Sequence, residues 1–254
     1  MPSARLAPRC LVGLLALFSA CGLDDGAGTG GVTVFAAASL TGAFTEIGDA
    51  FVATDPDADV MFNFAASSEL AAQINEGGAP ADVFASADQI NMAKLVDAGN
   101  NRSEPVVFAW NRLAIIVEPG NPEDITGVAD LADDGLIVVT CDVAVPCGMY
   151  AEQIFDRAGV TVSPDSLEEN VRAVVTKVMS GEADAGIVYE TDVRAAGDQA
   201  EGVEIPTDIN VLAEYPIVVT ADASLPEAAQ AFVDFVLGEQ GQKILAEHGF
   251  VAPD

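Results

Sequence analysis

The chain has 254 residues, and 40 Asp and Glu against 10 Lys and Arg give it a formal charge of −30. So acidic a protein excludes a nucleic-acid partner, whose affinity would rest on Lys and Arg neutralising phosphates. The acid excess reads as surface solubility and points to no function of its own.

The N-terminus reads as a targeting segment set apart from the folded body. Arg5 and Arg9 precede an apolar run from Leu11 to Phe18, then Ser19, Ala20 and Cys21-Gly22. A run this short cannot cross a bilayer as a helix, which takes about 20 residues. The expectation is a signal peptide over 1–20 with Cys21 as a lipid-attachment cysteine. Such signals usually place Leu three residues before the cysteine. Here Phe18 holds that place and Leu17 lies four before, so ordinary cleavage nearby is the alternative. Residues 21–31 are Gly-rich and acidic and read as a flexible tether. With Cys10 in the signal, Cys141 and Cys147 remain in the folded part. In an oxidising compartment they invite pairing, the alternative being two free buried thiols.

From Val32 onward, short β-prone runs alternate with segments of helical spacing, the pattern of α/β layering. Strands are predicted at Val32 to Ala37, Asp59 to Phe64 and Val83 to Ser86, with helices between them at Leu40 to Ala53, Ser68 to Glu76 and Gln89 to Ala98. Three strand-helix units in a row predict parallel strands joined by crossover helices. A second block opens with a long strand, Val106 to Val117. It continues with a strand at Leu136 to Thr140, helices at Gly148 to Ala158 and Val171 to Ser180, and a strand at Ala185 to Tyr189. A strand at Tyr215 to Ala221 and helices at Ala228 to Leu237 and Gln240 to His248 return to the first block. The division expected is a first lobe of 32–107 with 212–254 and a second lobe of 108–211, with a ligand held between them where strand ends and helix N-termini converge.

Two junctions stand out. Ser39 ends the first strand, and Ser67 with Ser68 ends the second; each sits where a helix N-cap belongs. Helix N-termini offer unpaired N–H groups and a partial positive charge, so two of them facing one cleft bind an anion without any cation. Read alone, each serine is better taken as a cap of its own helix. Hydrolysis would need an activated nucleophile and a base, and the only histidine, His248, reads as a helix-end residue. The tyrosines at 150, 189 and 215 read as ungrouped, unlike a ferric site, and Asp133 with Asp134 reads as a solvated turn. No free-cation metal site is expected, and no cofactor.

Several runs in order resemble the periplasmic molybdate-binding proteins. They are Val32-Thr33-Val34-Phe35-Ala36-Ala37-Ala38-Ser39-Leu40-Thr41, Phe64-Ala65-Ala66-Ser67-Ser68-Glu69-Leu70-Ala71 and the stretch from Gly78 to Asp88. Val145-Pro146-Cys147-Gly148-Met149-Tyr150-Ala151, Glu169-Asn170-Val171-Arg172, Gly186-Ile187-Val188-Tyr189, Glu214-Tyr215-Pro216 and His248-Gly249-Phe250 follow. The resemblance covers nearly everything after the tether. It implies a type II periplasmic-binding-protein-like α/β fold of two lobes, and binding of molybdate, and of tungstate, as an oxyanion rather than as a free metal cation. The ligands it implies are the hydroxyl and N–H of Ser39 and Ser67, the N–H of Cys147 and of Val171, and the phenol of Tyr189. Position 147 departs from the expected alanine, but only its backbone is used, which leaves the side chain free to pair with Cys141. Also implied are a monomer that is not an enzyme, an ABC importer permease with its ATPase as partner, and a place outside the cell membrane, lipid-anchored or periplasmic. The same fold taking sulfate, phosphate or a small organic anion is the alternative.

Overall fold

A computed structural model describes residues 31–55 and 58–253. The expected signal peptide, Cys21 as the expected lipid-attachment site and all of the expected tether but Gly31 lie outside the described residues.

The first block folds as three parallel strands with crossovers. β1 (Val32–Ala37) turns through a short 3-10 segment, Ala38–Leu40, into α1 (Thr41–Thr54). β2 (Val60–Ala65) leads into α2 (Ser67–Asn75), and β3 (Val83–Ala85) is followed by α3 (Gln89–Asp97). β1 lies between β2 and β3, parallel to both. Alternation along β1 sends Val34 and Ala36 into one core with Phe44 and Ile47 of α1, while Phe35 packs with Leu70, Phe84 and Leu95 on the opposite face. That period of two, set against the i, i+3 spacing of Phe44 and Ile47, is why the segment folds as helices layered on a sheet.

β4 (Val106–Val117) is the long strand of the fold. Its first part, to Arg112, pairs antiparallel with β9 (Leu212–Val219), and β9 pairs onward with β3. From Leu113 the same strand pairs with β7 (Ala185–Tyr189) and β8 (Glu201–Glu204). β5 (Val138–Cys141) pairs with β7 and with β6 (Ser166–Glu168). The described strands thus run β2-β1-β3-β9-β4-β7-β5-β6, with β8 on β4. Between them lie α4 (Pro146–Ala158), α5 (Val171–Met179) and α6 (Glu190–Ala196). α7 (Pro226–Leu237) and α8 (Glu239–Glu247) return to pack on α1.

Two polar ties hold the first half together. Asp82 is buried, and its carboxylate accepts hydrogen bonds from Thr33 N–H at 2.8 Å and from Ser224 N–H at 2.6 Å, so β1 and the segment entering α7 share one acceptor. Trp110 and Val251 exchange backbone hydrogen bonds of 2.7 and 2.9 Å, which fastens the C-terminal segment to β4. β6, α6 and β8 are absent from the sequence expectation. β6 reads Ser-Leu-Glu and β8 reads Glu-Gly-Val-Glu, too short and too polar for a hydrophobic period, and pairing along one edge, with β5 and with β4, makes them strands.

Candidate functional site

Four helix starts meet at one small cavity between the two halves of the sheet. Its lining comes from Ala37 to Ser39, from Ala66 and Ser67, from Val145 to Cys147, and from Asn170 and Val171, with Ala87 and Tyr189 completing it. Ser39, Ser67, Cys147, Val171 and Tyr189, singled out from the sequence, are all brought together there. The lining contains no Lys, Arg or His and, in a chain of 40 acidic residues, no Asp or Glu. The cavity volume is ≈ 20 Å³. Since one water takes roughly 10 to 15 Å³ on this measure, the space suits a compact group rather than a branched organic molecule.

Each element delivers its group for a local reason. Ser67 is the first residue of α2, with Ala66 as the capping position. Val171 opens α5, whose cap Asn170 accepts from Ala173 N–H at 3.2 Å and leaves the Val171 N–H unclaimed. Pro146 opens α4, as suits a residue without an N–H at a position that needs none, and Cys147 follows it. Cys141 at the end of β5 is joined by a disulfide to Cys147, with Cα atoms 5.7 Å apart.

The alternative reading of the two serines as caps of their own helices does not hold. Neither hydroxyl caps its helix: the caps are Ala66 for α2 and Leu40 for α1, and neither makes a side-chain cap bond. Ser39 lies within the 3-10 turn, and its Oγ is 2.9 Å from the Tyr215 hydroxyl. Ser67 Oγ accepts from Ala87 N–H at 2.9 Å. Because these partners come from β9 and from the chain beyond β3, a local reading of strand-Ser-helix could not find them.

The tyrosines, not expected to be grouped as a ferric site would be, do lie near one another. The rings of Tyr189 and Tyr215 meet edge to face at 5.9 Å, because β7 and β9 both flank β4. Tyr150, on α4, donates its hydroxyl proton to the Ala87 carbonyl at 3.3 Å, a hydrogen bond between the two halves of the fold. Burial drives the phenols of Tyr150, Tyr189 and Tyr215 above their ordinary range, so they stay protonated and act as donors. Tyr189 Oη is buried without a hydrogen-bond partner, and it is the one such side-chain atom among the described residues. A buried hydroxyl left unpaired costs about 1 to 3 kcal/mol, a cost that an acceptor placed in the cavity would remove.

Two buried carboxylates stand behind the wall. Asp88 caps α3 through Asn91 N–H at 2.6 Å, and burial raises its pKa. Asp192 accepts from Tyr189 N–H at 3.1 Å; burial pushes its pKa up to about 7, against the lowering effect of that bond and of Arg172. His248 lies at the C-terminal cap of α8, paired with Glu46 at 2.8 Å, and takes no part in the lining. Tyr215, Tyr150 and Ala87 lie in runs that carried the resemblance but were given no role in the site, and Asn111 and Asp192 escaped the sequence reading altogether.

Comparison with known proteins agrees with this architecture. The profile of the bacterial extracellular solute-binding protein family matches residues 32–251. The chain is 41% identical over 248 residues to the molybdate-binding protein ModA of Mycobacterium tuberculosis, covering 94% of this chain and 95% of that relative. Identity to ModA of Escherichia coli is 34% over 231 residues, covering 87% and 89%. The solved periplasmic molybdate-binding protein of Azotobacter vinelandii superposes with a TM-score of 0.73 at 20% identity, over 88% of this chain and all of that one, a likeness of fold.

Proposed function

The chain belongs to the bacterial extracellular solute-binding protein family, and from that premise we propose that it captures molybdate between two closing lobes and delivers it to an ABC importer. The lobes are residues 32–107 with 212–254 and residues 108–211, with β4 and β9 as the crossing strands. The anion is held by the hydroxyl and N–H of Ser39 and of Ser67, by the N–H groups of Cys147 and Val171, and by the Tyr189 phenol. One observation carries the reading: the orphaned Tyr189 hydroxyl faces an acid-free cavity at which several helix N-termini converge. A dianion taken out of water needs every oxygen hydrogen-bonded, and each bond to a charged group contributes about 1.5 to 3 kcal/mol. Helix starts supply such donors with a favourable dipole and no counter-cation.

Tungstate, of like charge and shape, is bound on the same terms. An all-donor shell rejects an anion that carries a proton, because its O–H meets no acceptor. Sulfate carries none, so its exclusion rests on cavity size. The protein is a carrier and not an enzyme: the lining holds no base beside its hydroxyls. It acts outside the cell membrane as a monomer, anchored through lipid on Cys21 or free in the periplasm, and its partner is a permease driven by an ATPase.

Isothermal titration of protein beginning at Gly22 tests this, with molybdate, tungstate, sulfate and phosphate in separate runs. Tight one-to-one binding of molybdate and tungstate, with phosphate and sulfate silent, is the expected result. Folded protein silent to molybdate would overturn the proposal, and binding of sulfate alone would favour a same-fold carrier of another anion.

A further inference from the structure

Ser39 and Ser67 each have an oxygen that can donate or accept, and an all-donor site requires their protons to point inward. What stands behind each oxygen decides this. Ser67 is settled by backbone: Ala87 N–H donates to its Oγ at 2.9 Å, so the serine proton is free for the cavity. Behind Ser39 stands a phenol, Tyr215, 2.9 Å away, and either oxygen could be the donor of that pair taken alone.

The surroundings break the tie. Tyr215 is fully buried, its ring set against Phe108, Tyr189 and Phe250, and it lies on β9, beside Asn111 of β4. The Asn111 amide is oriented by two other bonds. Its Oδ1 accepts from Arg112 N–H at 3.0 Å, and its Nδ2 donates to Thr191 Oγ1 at 2.8 Å. Asn111 is thus held by Arg112 and Thr191, and Ser39 Oγ is the hydrogen-bond partner that the geometry gives the phenol. A phenol is the stronger donor of the two hydroxyls, and were Ser39 to donate, the buried Tyr215 proton would be left without an acceptor, so that proton points toward Ser39 Oγ. Ser39 then accepts from Tyr215, and its proton turns to the cavity.

We propose that Tyr215 is a specificity-determining positioning residue: by donating to Ser39 Oγ it obliges Ser39 to meet the ligand as a donor, so that the cleft reads whether an oxyanion carries a proton. Tyr215 does not line the cavity; it acts through Ser39. The inference rests on the anion-binding reading above and adds the source of selectivity at this position. Without the phenol proton, the Ser39 hydroxyl rotates freely and can accept an O–H from a protonated anion. Tyr189, whose hydroxyl has no partner behind it, and Ser67, held by Ala87, are unaffected by this change.

The test compares Kd for molybdate with Kd for inorganic phosphate, which carries a proton at neutral pH, in the wild type, Tyr215→Phe, Ser39→Ala and the double variant. Losing one charge-directed hydrogen bond corresponds to about a tenfold rise in Kd for molybdate. Phosphate should be unchanged or tighter, so the selectivity ratio in Tyr215→Phe falls tenfold or more. Adding Tyr215→Phe to Ser39→Ala should move the ratio no further. A merely structural role would weaken both anions alike, and an unchanged ratio in a wild type that binds molybdate would overturn this inference alone. Wild type silent to molybdate would remove the anion-binding reading, and this inference with it. Should Tyr215→Phe fail to fold, proton NMR of wild-type protein with labelled tyrosine decides the matter. A nuclear Overhauser contact from the Tyr215 hydroxyl proton to the Ser39 β-protons supports the inference, and contact with the Asn111 side instead overturns it.

Discussion

Tyr189 places a hydroxyl in the interior with nothing to bond, and evolution normally removes such groups because each costs about 1 to 3 kcal/mol. Its removal should therefore act in opposite directions on stability and binding. Tyr189→Phe is expected to raise the unfolding free energy of the ligand-free protein by about 1 kcal/mol, read from urea midpoints, while weakening molybdate at least tenfold by titration. Asp192 beside it carries the opposite kind of burden. Its folded pKa is raised to about 7 from an ordinary 3.8, so between those values the native state holds a proton that the unfolded chain has lost. The stabilisation from that proton is complete below about pH 4 and disappears as pH rises through about 7. Asp192→Asn cannot titrate, so its stability relative to wild type should climb across that window. Urea midpoints for the two proteins that run parallel across it would contradict the assignment.

Among the elements, α4 shows how a helix start is held against a strand end. Pro146 sets its first turn, the disulfide ties Cys147 to Cys141 of β5, and Gly148 leaves no room for a Cβ against the carbonyls of Cys141 and Asp142. Closing so short a loop constrains the unfolded chain by about 2 kcal/mol. Replacing both cysteines with serine should lower stability by that amount, measured in urea. It should also raise Kd for molybdate, because the released segment carries the Cys147 N–H. The strands β1, β4 and β7 were legible because their apolar runs are long and their ends marked, and the helices α1, α2, α3 and α5 because their periods are clean. The five residues proposed as ligands were reached through the family resemblance, whose runs around Ser39, Ser67, Cys147, Val171 and Tyr189 are each contiguous in the chain. The supports behind them were not. Ser39 and Tyr215 are 176 residues apart, and Tyr150 and Ala87 are 63 apart, so only the pairing of β4 with both β7 and β9 brings such partners together. The alternative of serines that merely cap their helices fails for the same reason: a hydroxyl at a helix start is held by a distant partner rather than by its nearest N–H.

For the whole molecule, a charge of −30 surrounds a cavity built for an anion. Repulsion between like charges slows encounter, and added salt screens it over about 10 Å at 0.1 M. The association rate of molybdate is thus expected to rise with ionic strength in stopped-flow measurements, and a rate that falls with salt would contradict this. The path of the chain has a consequence of another kind. Everything from Leu113 to Val211 is one uninterrupted excursion, entered and left where Arg112 and Leu212 sit opposite each other on adjacent strands. In genetic terms the stretch is a cassette with two neighbouring junctions. Three of the five proposed ligand contacts, Cys147, Val171 and Tyr189, travel inside it, while Ser39, Ser67 and Tyr215 stay behind. Recombination between relatives could therefore exchange half of the binding site in a single step while leaving the residue behind Ser39 untouched.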